Sequence, residues 1–336
     1  MFTKKIGIDL GSSSVRAYLR GEGVVVDEAS AVALERKSGR VLAVGREAAE
    51  LDGRAPGHVE VVRPIRAGTI ADLTACERML EHLIQRLHGR QRWFKPEVVF
   101  CVPSAASGVE RRAMARAAIT AGARQAWLIE SPLVAAMGAG LSVVEPPAHL
   151  ICDLGGGTVE VALVSRSSLV VAHTEPLGGA RLDAAIVAYV RRRHGLEIGE
   201  RTAEEVKRTA GAAEPLDRPL LATVAGKDVV GGRPRTATVV SDEVAEALQE
   251  PLAELTAAIR RGLEQVPEAY AAEVEHGGML LTGGGALLRG LGRYLARQLH
   301  LPVRVAPDPR TCAVRGTGRA LGELEVVQRR QVYLMS

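Results

Sequence analysis

Two segments of the sequence repeat one short pattern of residue types that suits the binding of an anion. Residues 6–15 read Ile-Gly-Ile-Asp-Leu-Gly-Ser-Ser-Ser-Val, and residues 150–159 read Leu-Ile-Cys-Asp-Leu-Gly-Gly-Gly-Thr-Val. In both, an apolar run ends at an aspartate and is followed by glycine and small hydroxyl residues. Because glycine accepts positive φ and has no side chain, consecutive backbone N–H groups in such a turn can close on a phosphate. The two copies lie about one domain length apart.

Taken together, the two turns predict a clamp that holds a polyphosphate from both sides. An ordinary tight β-turn explains either copy alone equally well, but the repeat at domain spacing favours the clamp. Asp9 and Asp153 would repel phosphate directly, so we assign them to a hydrated Mg²⁺ that neutralises the phosphates. The predicted phosphate-binding residues are Gly11, Ser12, Ser13 and Ser14 in the first turn and Gly155, Gly156, Gly157 and Thr158 in the second.

A third glycine cluster reads Leu-Leu-Thr-Gly-Gly-Gly-Ala-Leu-Leu over residues 280–288. It stands between an apolar strand pattern and an amphipathic helix pattern, an order that brings backbone N–H groups of a helix start close to a ligand. Neither the P-loop pattern nor G-x-G-x-x-G fits its spacing. Alone this signal is weak, but as the third element after the two turns it is specific, and we assign Gly283, Gly284, Gly285, Ala286 and Leu287 to the same site.

The sequence also predicts the strands and helices that position these turns. Short apolar runs alternate with helical patterns, which is typical of an α/β fold. The predicted strands cover residues 5–10, 98–102, 150–153, 159–164 and 279–281. The predicted helices cover residues 72–87, 110–121, 181–193, 203–210, 241–265 and 287–300. Ser241 is the expected N-cap of its helix, followed by acidic residues that favour a helix start.

Composition limits the function classes. A chain of 336 residues suits two domains, and a net charge of +4 with 43 basic and 39 acidic residues does not predict nucleic acid as the main partner. The four cysteines form no C-x-x-C pair, which favours a reducing compartment without disulfides or a metal cluster. We expect no signal peptide, and the longest uncharged stretch, between Glu130 and Glu145, is too short to span a membrane. A soluble or peripheral protein is expected.

Over nearly the whole chain, the sequence resembles the MreB family, within the superfamily of actin, heat-shock chaperone ATPase domains and sugar kinases. The matching segments occur in the family's order. They read Ile-Asp-Leu-Gly (8–11), Val-Leu-Ala-Val-Gly (41–45), Gly-Arg-Ala-Pro-Gly (53–57), Arg-Pro-Ile-Arg-Ala-Gly-Thr-Ile-Ala-Asp (63–72), Cys-Val-Pro (101–103), Val-Glu-Arg-Arg-Ala (109–113), Ala-Gly-Ala-Arg (121–124) and Leu-Thr-Gly-Gly-Gly-Ala-Leu-Leu-Arg (281–289).

The resemblance implies an α/β, actin-like ATPase fold, with two ribonuclease H-like domains and four subdomains around a nucleotide cleft. The first domain is expected over 1–145, with a small subdomain inserted at about 30–62, and is completed by 308–336. The second is expected over 146–307, with a small subdomain inserted at about 180–240.

The resemblance also assigns ligands, which are ATP and Mg²⁺. The two turns would hold the phosphates, and residues 283–287 would hold adenine and ribose. Residues 202–207, Thr-Ala-Glu-Glu-Val-Lys, resemble the family's adenosine-contacting helix, so Glu204, Glu205 and Lys207 become nucleoside-side candidates. Without the resemblance, this segment is equally well interpreted as an ordinary solvated, charged helix.

Three departures from the family pattern bear on hydrolysis. The family usually carries two glutamates before the proline of the segment at 129–140, and the second is expected to position the attacking water. Here Glu130 is followed by Ser131, and a serine hydroxyl is a poor base. The first phosphate turn has Ser12 to Val15 instead of Thr-Ala-Asn-Thr, and Ala180 replaces an acid. We therefore expect nucleotide binding with weak ATP hydrolysis, in which Glu130 and Ser131 are the candidate catalytic positions.

Trp93 and Phe94 lie together in a basic segment, between Arg90 and Lys95. Two adjacent rings flanked by cations suit insertion into an anionic lipid headgroup layer, and the family uses a hydrophobic loop here for membrane contact. The alternative is that both rings pack under the neighbouring helix.

The resemblance further implies self-association into filaments. It also implies a cytoplasmic location at the inner face of the cell membrane, with cell-wall or division machinery as partners in cell-shape morphogenesis. Two alternatives stay open: a degenerate scaffold or regulator that binds nucleotide without turnover, and a metabolic kinase of the same superfamily.

Overall fold

The computed structural model describes residues 4–88 and 95–322 and the backbone of residues 333–335. The predicted α/β class is confirmed. The strands are β1 (Lys5–Leu10), β2 (Ser14–Leu19), β3 (Gly23–Ala29), β4 (Val32–Glu35), β5 (Val41–Val44), β6 (Val59–Val62), β7 (Ile65–Arg66), β8 (Thr69–Ile70), β9 (Glu97–Val102), β10 (Gln125–Glu130), β11 (His149–Leu154), β12 (Val159–Ser165), β13 (Ser168–Glu175), β14 (Leu196–Glu197), β15 (Leu221–Asp228), β16 (Pro234–Val240), β17 (Met279–Thr282), β18 (Val303–Val305) and β19 (Tyr333–Met335).

The helices are α1 (Arg46–Leu51), α2 (Leu73–His88), α3 (Gly108–Thr120), α4 (Ser131–Gly138), α5 (Gly179–His194), α6 (Glu200–Ala210), α7 (Ser241–Leu263), α8 (Ala271–Gly277), α9 (Leu291–Leu299) and α10 (Cys312–Ala320). Short 3₁₀ turns cover Glu268–Tyr270, Gly284–Leu287 and Pro309–Thr311. In the described part of the chain, no helix is long and apolar enough to cross a membrane.

The two large sheets share a five-stranded topology, to which the first sheet adds β19 as an antiparallel edge strand. The first has the order β19-β10-β9-β1-β2-β3, and the second has the order β13-β12-β11-β17-β18. In each, the strand before the glycine turn is antiparallel to the strand after it and parallel to its other neighbour. The repeated sequence pattern therefore reports a duplicated fold, with each glycine turn at the same corner of its sheet.

Burial explains why the central strands are continuous apolar runs. Every residue of β12 is buried, and in β9 only the first residue is partly accessible, because both faces of these strands are covered. In β15 the exposed and buried residues alternate at first, as expected for a strand with one solvated face. That strand belongs to a small sheet of order β14-β15-β16, and another small sheet has the order β5-β4-β6.

Helices α4 and α10 lie between the two large sheets. By sequence α4 follows a strand of the first sheet, yet it packs on β11 and β12 of the second, whereas α10 follows the second sheet and packs on β1, β2 and β9 of the first. The two helices cross where glycines meet. A Cβ added to Gly138 would lie 2.6 Å from the carbonyl carbon of Cys312, and one added to Gly316 would lie 2.5 Å from that of Val134. The backbones are therefore in direct contact.

One predicted helix start and one predicted N-cap were wrong, whereas the start of α7 at Ser241 was as expected. The helix expected at 287–300 begins at Leu291, because the residue before it, Gly290, has a φ of 76° and separates it from the glycine cluster. Ser241 is the first residue of α7 rather than its N-cap. Its hydroxyl accepts a hydrogen bond from the Leu220 N–H (3.1 Å), while the Glu243 carboxylate accepts one from the Val240 N–H (3.0 Å).

Candidate functional site

The two glycine turns have the same backbone hydrogen bond. In the first turn the Gly11 N–H donates to the Ser14 carbonyl (3.0 Å), and in the second the Gly155 N–H donates to the Thr158 carbonyl (2.9 Å). Each turn therefore connects its two antiparallel strands in the same tight loop. This common geometry is what the sequence pattern predicts.

The two turns also face each other directly. A Cβ on Gly156 would collide with the Ser13 hydroxyl, and one on Gly157 would lie 2.6 Å from the Ser12 hydroxyl. The Ser12 hydroxyl in turn accepts a hydrogen bond from the Gly68 N–H (3.0 Å). Glycine is needed in the second turn because no side chain fits between it and the first.

The start of α5 closes on the second turn, which the sequence did not reveal. The Gly179 N–H donates to the Gly155 carbonyl (3.0 Å), and the Ala180 N–H donates to the Gly156 carbonyl (2.8 Å). A Cβ on Gly178 would lie 2.5 Å from the backbone of both Gly156 and Gly157. The positive end of the α5 dipole is thereby fixed at the turn, where it favours an anion.

Lys207 and Asp183 join α6 to this corner. The Lys207 ammonium donates to the Asp183 carboxylate (2.8 Å) and to the Gly179 carbonyl (3.0 Å). Burial raises the pKa of Asp183 to about 6, and the Lys207 charge opposes that rise. Of the other two predicted residues on α6, Glu204 is partly buried and Glu205 is exposed. Lys207 thus lies beside the second turn rather than on a solvated helix face.

Asp9 and Asp153 end corresponding strands, and each has a fixed partner. The Cys101 thiol donates to Asp9 Oδ1 (3.2 Å), and the Thr282 hydroxyl donates to Asp153 Oδ1 (2.6 Å). Burial raises the pKa of Asp153 to about 6, and the charge of Asp9 adds to the rise. Their oxygens are the ligands that Mg²⁺ prefers, although the described residues contain no group of three or more His, Cys, Asp or Glu that would hold a metal alone. The pair fits a hydrated ion shared with phosphates.

Arg16 is a charged residue of this corner that the sequence reasoning missed. It faces Asp9 across β1 and β2, and its Nη1 lies 3.3 Å from Asp9 Oδ2. Arg16 lies seven residues after Asp9 in the sequence. This spacing reveals that the two residues lie opposite each other only if the pairing register of β1 and β2 is known.

Glu160 is the corresponding residue of the second half, and it was missed for the same reason. It faces Asp153 across β11 and β12, is 3% exposed, and accepts from the N–H and the hydroxyl of Ser104, both at 2.7 Å. The Thr174 hydroxyl also donates to it (3.1 Å). Burial raises the pKa of Glu160 to about 7, against the effect of these hydrogen bonds. Glu160 therefore joins the second sheet to the loop after β9.

Glu130 and Ser131 stand at the end of β10, next to this cluster. The Glu130 carboxylate accepts from Arg111 Nη1 (3.0 Å), so its charge is used by an ion pair. Ser131 is buried, and its hydroxyl is within hydrogen-bond reach of the Cys101 thiol that binds Asp9. Ser131 is thus linked to the aspartate of the first turn, whereas Glu130 is committed to Arg111.

The third glycine cluster packs against the second turn's strand. Gly283 has a φ of 80°, and a Cβ there would lie 2.9 Å from Asp153 Oδ1. Its N–H donates to the Pro309 carbonyl (2.8 Å). Ala286 is buried and Leu287 is 53% exposed. The expectation of an α-helix start here was wrong, but the cluster does border Asp153. Trp93 and Phe94 lie outside the described residues.

Comparisons with known proteins agree with this architecture. A family model described as MreB/Mbl protein matches residues 3–329. The chain is 44% identical to the cell shape-determining protein MreB of Escherichia coli (strain K12) over 331 residues, which are 97% of this chain and 95% of that protein. It is 40% identical to the cell shape-determining protein Mbl of Bacillus subtilis (strain 168) over 332 residues, 99% and 100% of the two chains.

Solved structures agree as well. The crystal structure of MreB5 of Spiroplasma citri bound to ADP superposes with a TM-score of 0.92 at 30% identity and covers 98% of this chain and 99% of that one. A MamK double helical filament reaches 0.79 at 20% identity, covering 95% and 98%, and supports the fold alone. With the duplicated sheets and facing turns, these matches confirm the actin-like fold. The chain belongs to the MreB/Mbl family of bacterial actin-like cytoskeletal proteins.

Proposed function

We propose that this protein is a nucleotide-binding subunit of a bacterial cytoskeletal filament and that its nucleotide is ATP. The observation that carries the proposal is the contact between the two glycine turns, one from each large sheet, with the start of α5 closed on the second. Two opposed sets of backbone N–H groups and a helix dipole suit the β- and γ-phosphates of a nucleotide. The structure of MreB5 carries ADP, which supports the same ligand class here.

In this proposal, the position of each residue determines which part of the nucleotide it contacts. Ser12, Ser13 and Thr158 donate to phosphates beside the turn N–H groups, and the cluster at 283–287 receives the nucleoside with Glu204, Glu205 and Lys207. Asp9 and Asp153 would hold a hydrated Mg²⁺, which would supply positive charge against the phosphates.

We infer that hydrolysis is slow. Ser131 stands where the family places the glutamate that positions the water, and the Glu130 carboxylate is paired with Arg111. Loss of a general base lowers a rate by about 10²- to 10⁴-fold. A degenerate scaffold that binds nucleotide without turnover is the second candidate, and the same two residues favour it. Nothing among the described residues favours the metabolic kinase.

The remaining parts of the proposal concern assembly and place in the cell. Family membership supports head-to-tail homopolymers at the inner face of the cell membrane, in the cytoplasm, working with cell-wall or division proteins in cell-shape morphogenesis. The division of the chain into 1–145 with 308–336 and 146–307 also stays a proposal, as do the inserted subdomains at about 30–62 and 180–240. The swap of α4 and α10 between the sheets supports joining the last segment to the first domain.

Sedimentation of the purified protein with ATP, with ADP and without nucleotide, while phosphate release is followed, tests the central claim. We expect nucleotide-dependent pelleting together with phosphate release far slower than assembly. The proposal would be refuted if the same fraction of protein sedimented with and without nucleotide and no nucleotide were bound to it. Release at the rate of assembly would refute only the slow hydrolysis.

The membrane contact is tested separately on anionic liposomes. Trp93→Ala combined with Phe94→Ala should abolish co-sedimentation, because the two rings supply the apolar area that enters the headgroup layer. Pelleting without liposomes is the control for intact assembly. Unchanged co-sedimentation of the double variant would remove the membrane role.

A further inference from the structure

Three charged residues stand side by side on neighbouring strands at the first glycine turn. The strand register pairs Asp9 with Arg16 and Arg16 with Asp27, so β1, β2 and β3 carry a negative, a positive and a negative side chain in one row. Arg310 extends the row from the segment before α10, with Nη2 at 3.0 Å from Asp27 Oδ2. Because the row follows the backbone register, it does not depend on one side-chain rotamer.

Arg16 is the buried member of this row. Its side chain is 10% exposed, and besides the contact with Asp9 its Nε lies 2.9 Å from Asp27 Oδ1. The latter contact is ionic, since the Nε–H is not aligned on an acceptor. A guanidinium has five N–H donors, and within the described residues only one from Nη1 makes an aligned hydrogen bond. The side chain therefore brings a permanent charge and spare donors to the turn.

The two halves differ at this position. Where the first half has Arg16 opposite Asp9, the second has Glu160 opposite Asp153. One aspartate thus has a fixed cation beside it and the other has a second acid.

We propose that Arg16 is a fixed cation of the nucleotide site, which offsets the charge of Asp9 and lets a nucleotide diphosphate bind with little dependence on Mg²⁺. This inference rests on the proposed nucleotide binding. In a site with two uncompensated aspartates, a polyphosphate meets two negative charges and needs a divalent cation to bind. Here Arg16 removes one of these repulsions before any metal arrives, and the ion pair of Arg310 with Asp27 supports the position of Arg16 beside Asp9.

The test is the affinity for ADP, measured by isothermal titration calorimetry on the full chain with excess Mg²⁺ and with EDTA. For the wild type we expect removal of Mg²⁺ to weaken binding by less than about 10-fold. In Arg16→Met the same removal should weaken binding by about 30-fold more, which is the effect calculated for one unit charge placed about 8 Å from a phosphate at an effective dielectric constant of about 20. Arg16→Lys, which keeps the charge, should stay near the wild type.

Arg20→Met is the matched control, because it removes an exposed arginine just beyond the end of the same strand. It should keep the wild-type ratio of affinities. If EDTA lowers the affinity of the wild type for ADP by 100-fold or more, the inference is overturned. This measurement needs only the wild type, so it remains decisive even if Arg16→Met does not fold. Equal ratios in Arg16→Met and the wild type would also overturn it. Absence of ADP binding with Mg²⁺ present would instead overturn the proposed function itself, and this inference with it.

Discussion

At the scale of single residues, the site around the two glycine turns is organised by carboxylates whose partners differ. Asp9 has Arg16 and a thiol, Asp153 has a threonine hydroxyl, and Glu130 has Arg111. Of these three, Asp9 and Asp153 stand next to the facing turns, and Glu130 stands at the end of β10. There Glu130 is paired with Arg111 and the next residue is Ser131. No unpaired carboxylate is therefore available at this position to act as a general base.

Ser131→Glu tests this directly. We expect it to raise steady-state phosphate release by about 10²-fold or more, because a carboxylate can accept the proton of the attacking water. Ser131→Gln is the matched control, similar in size but unable to take up a proton, and should remain slow. Equal rates in the two variants would show that the missing base is not what limits hydrolysis.

The buried carboxyl group of Glu160 should make the stability of the protein depend on pH. Burial raises its pKa from the ordinary 4.5 to about 7, so the folded protein holds this proton more tightly than the unfolded chain does. Its contribution to the free energy of unfolding therefore falls as pH rises from about 4.5 to 7 and is constant above that.

Glu160→Gln cannot titrate and keeps an acceptor oxygen for Ser104, so urea unfolding between pH 5 and pH 8 should show a flatter profile. The difference should amount to at most about 3 kcal/mol. Some slope remains, because burial raises the pKa of Asp153 and Asp183 in the same direction. Glu250→Gln, at a well-exposed carboxylate, should leave the profile unchanged. Parallel profiles for wild type and Glu160→Gln would contradict the assignment.

At the scale of elements, the start of α5 is as much a part of the site as the turns. Gly178→Ala places a methyl group 2.5 Å from the backbone of the second turn, so the helix must move away from it. We expect the affinity for ADP to fall by about 10-fold, or 1.4 kcal/mol. Gly199→Ala is the matched control, since it lies before α6 in the same capping position with no atom within 4 Å. Equal affinities for the two variants would show that contact with α5 is not needed for binding.

The elements also show what a sequence can and cannot predict here. The two turns were predictable because glycine and small hydroxyl residues after an apolar strand determine the local geometry by themselves. Arg16 and Glu160 were not, since their place beside the aspartates depends on which residues face each other across two strands. Gly178 was missed because its neighbour, the second turn, is distant in sequence.

The same reason explains the wrong N-cap of α7 and the misplaced start of α9. Ser241 has the right residue type for an N-cap, but its hydroxyl is bound by the Leu220 N–H, a partner from another segment. The start of α9 was set too early because the apolar pattern continues through the 3₁₀ turn, and the pattern does not register the positive φ of Gly290. Residue types indicated where a helix could begin or be capped. Contacts with residues distant in the sequence determined which of these possibilities the fold uses.

At the scale of the whole molecule, α4 and α10 connect the two sheets through their glycine crossing. Gly316→Ala should destabilise the fold by about 2 kcal/mol or more, because its Cβ would overlap the backbone of Val134 and the helices would have to separate. Gly292→Ala is the matched helical control, with its nearest atom at 3.5 Å, and should raise stability by about 0.5–1 kcal/mol. Urea unfolding measures both. A neutral Gly316→Ala would show that the crossing tolerates separation.

The crossing also bears on how the molecule moves. Side chains that interlock must change rotamers before two layers can slide, whereas the α4–α10 contact at Gly138 and Gly316 is backbone against backbone. Turning one sheet relative to the other would therefore need no change of side-chain rotamer at this contact. The two facing glycine turns belong to different sheets, so a rotation about the crossing would change the distance between them.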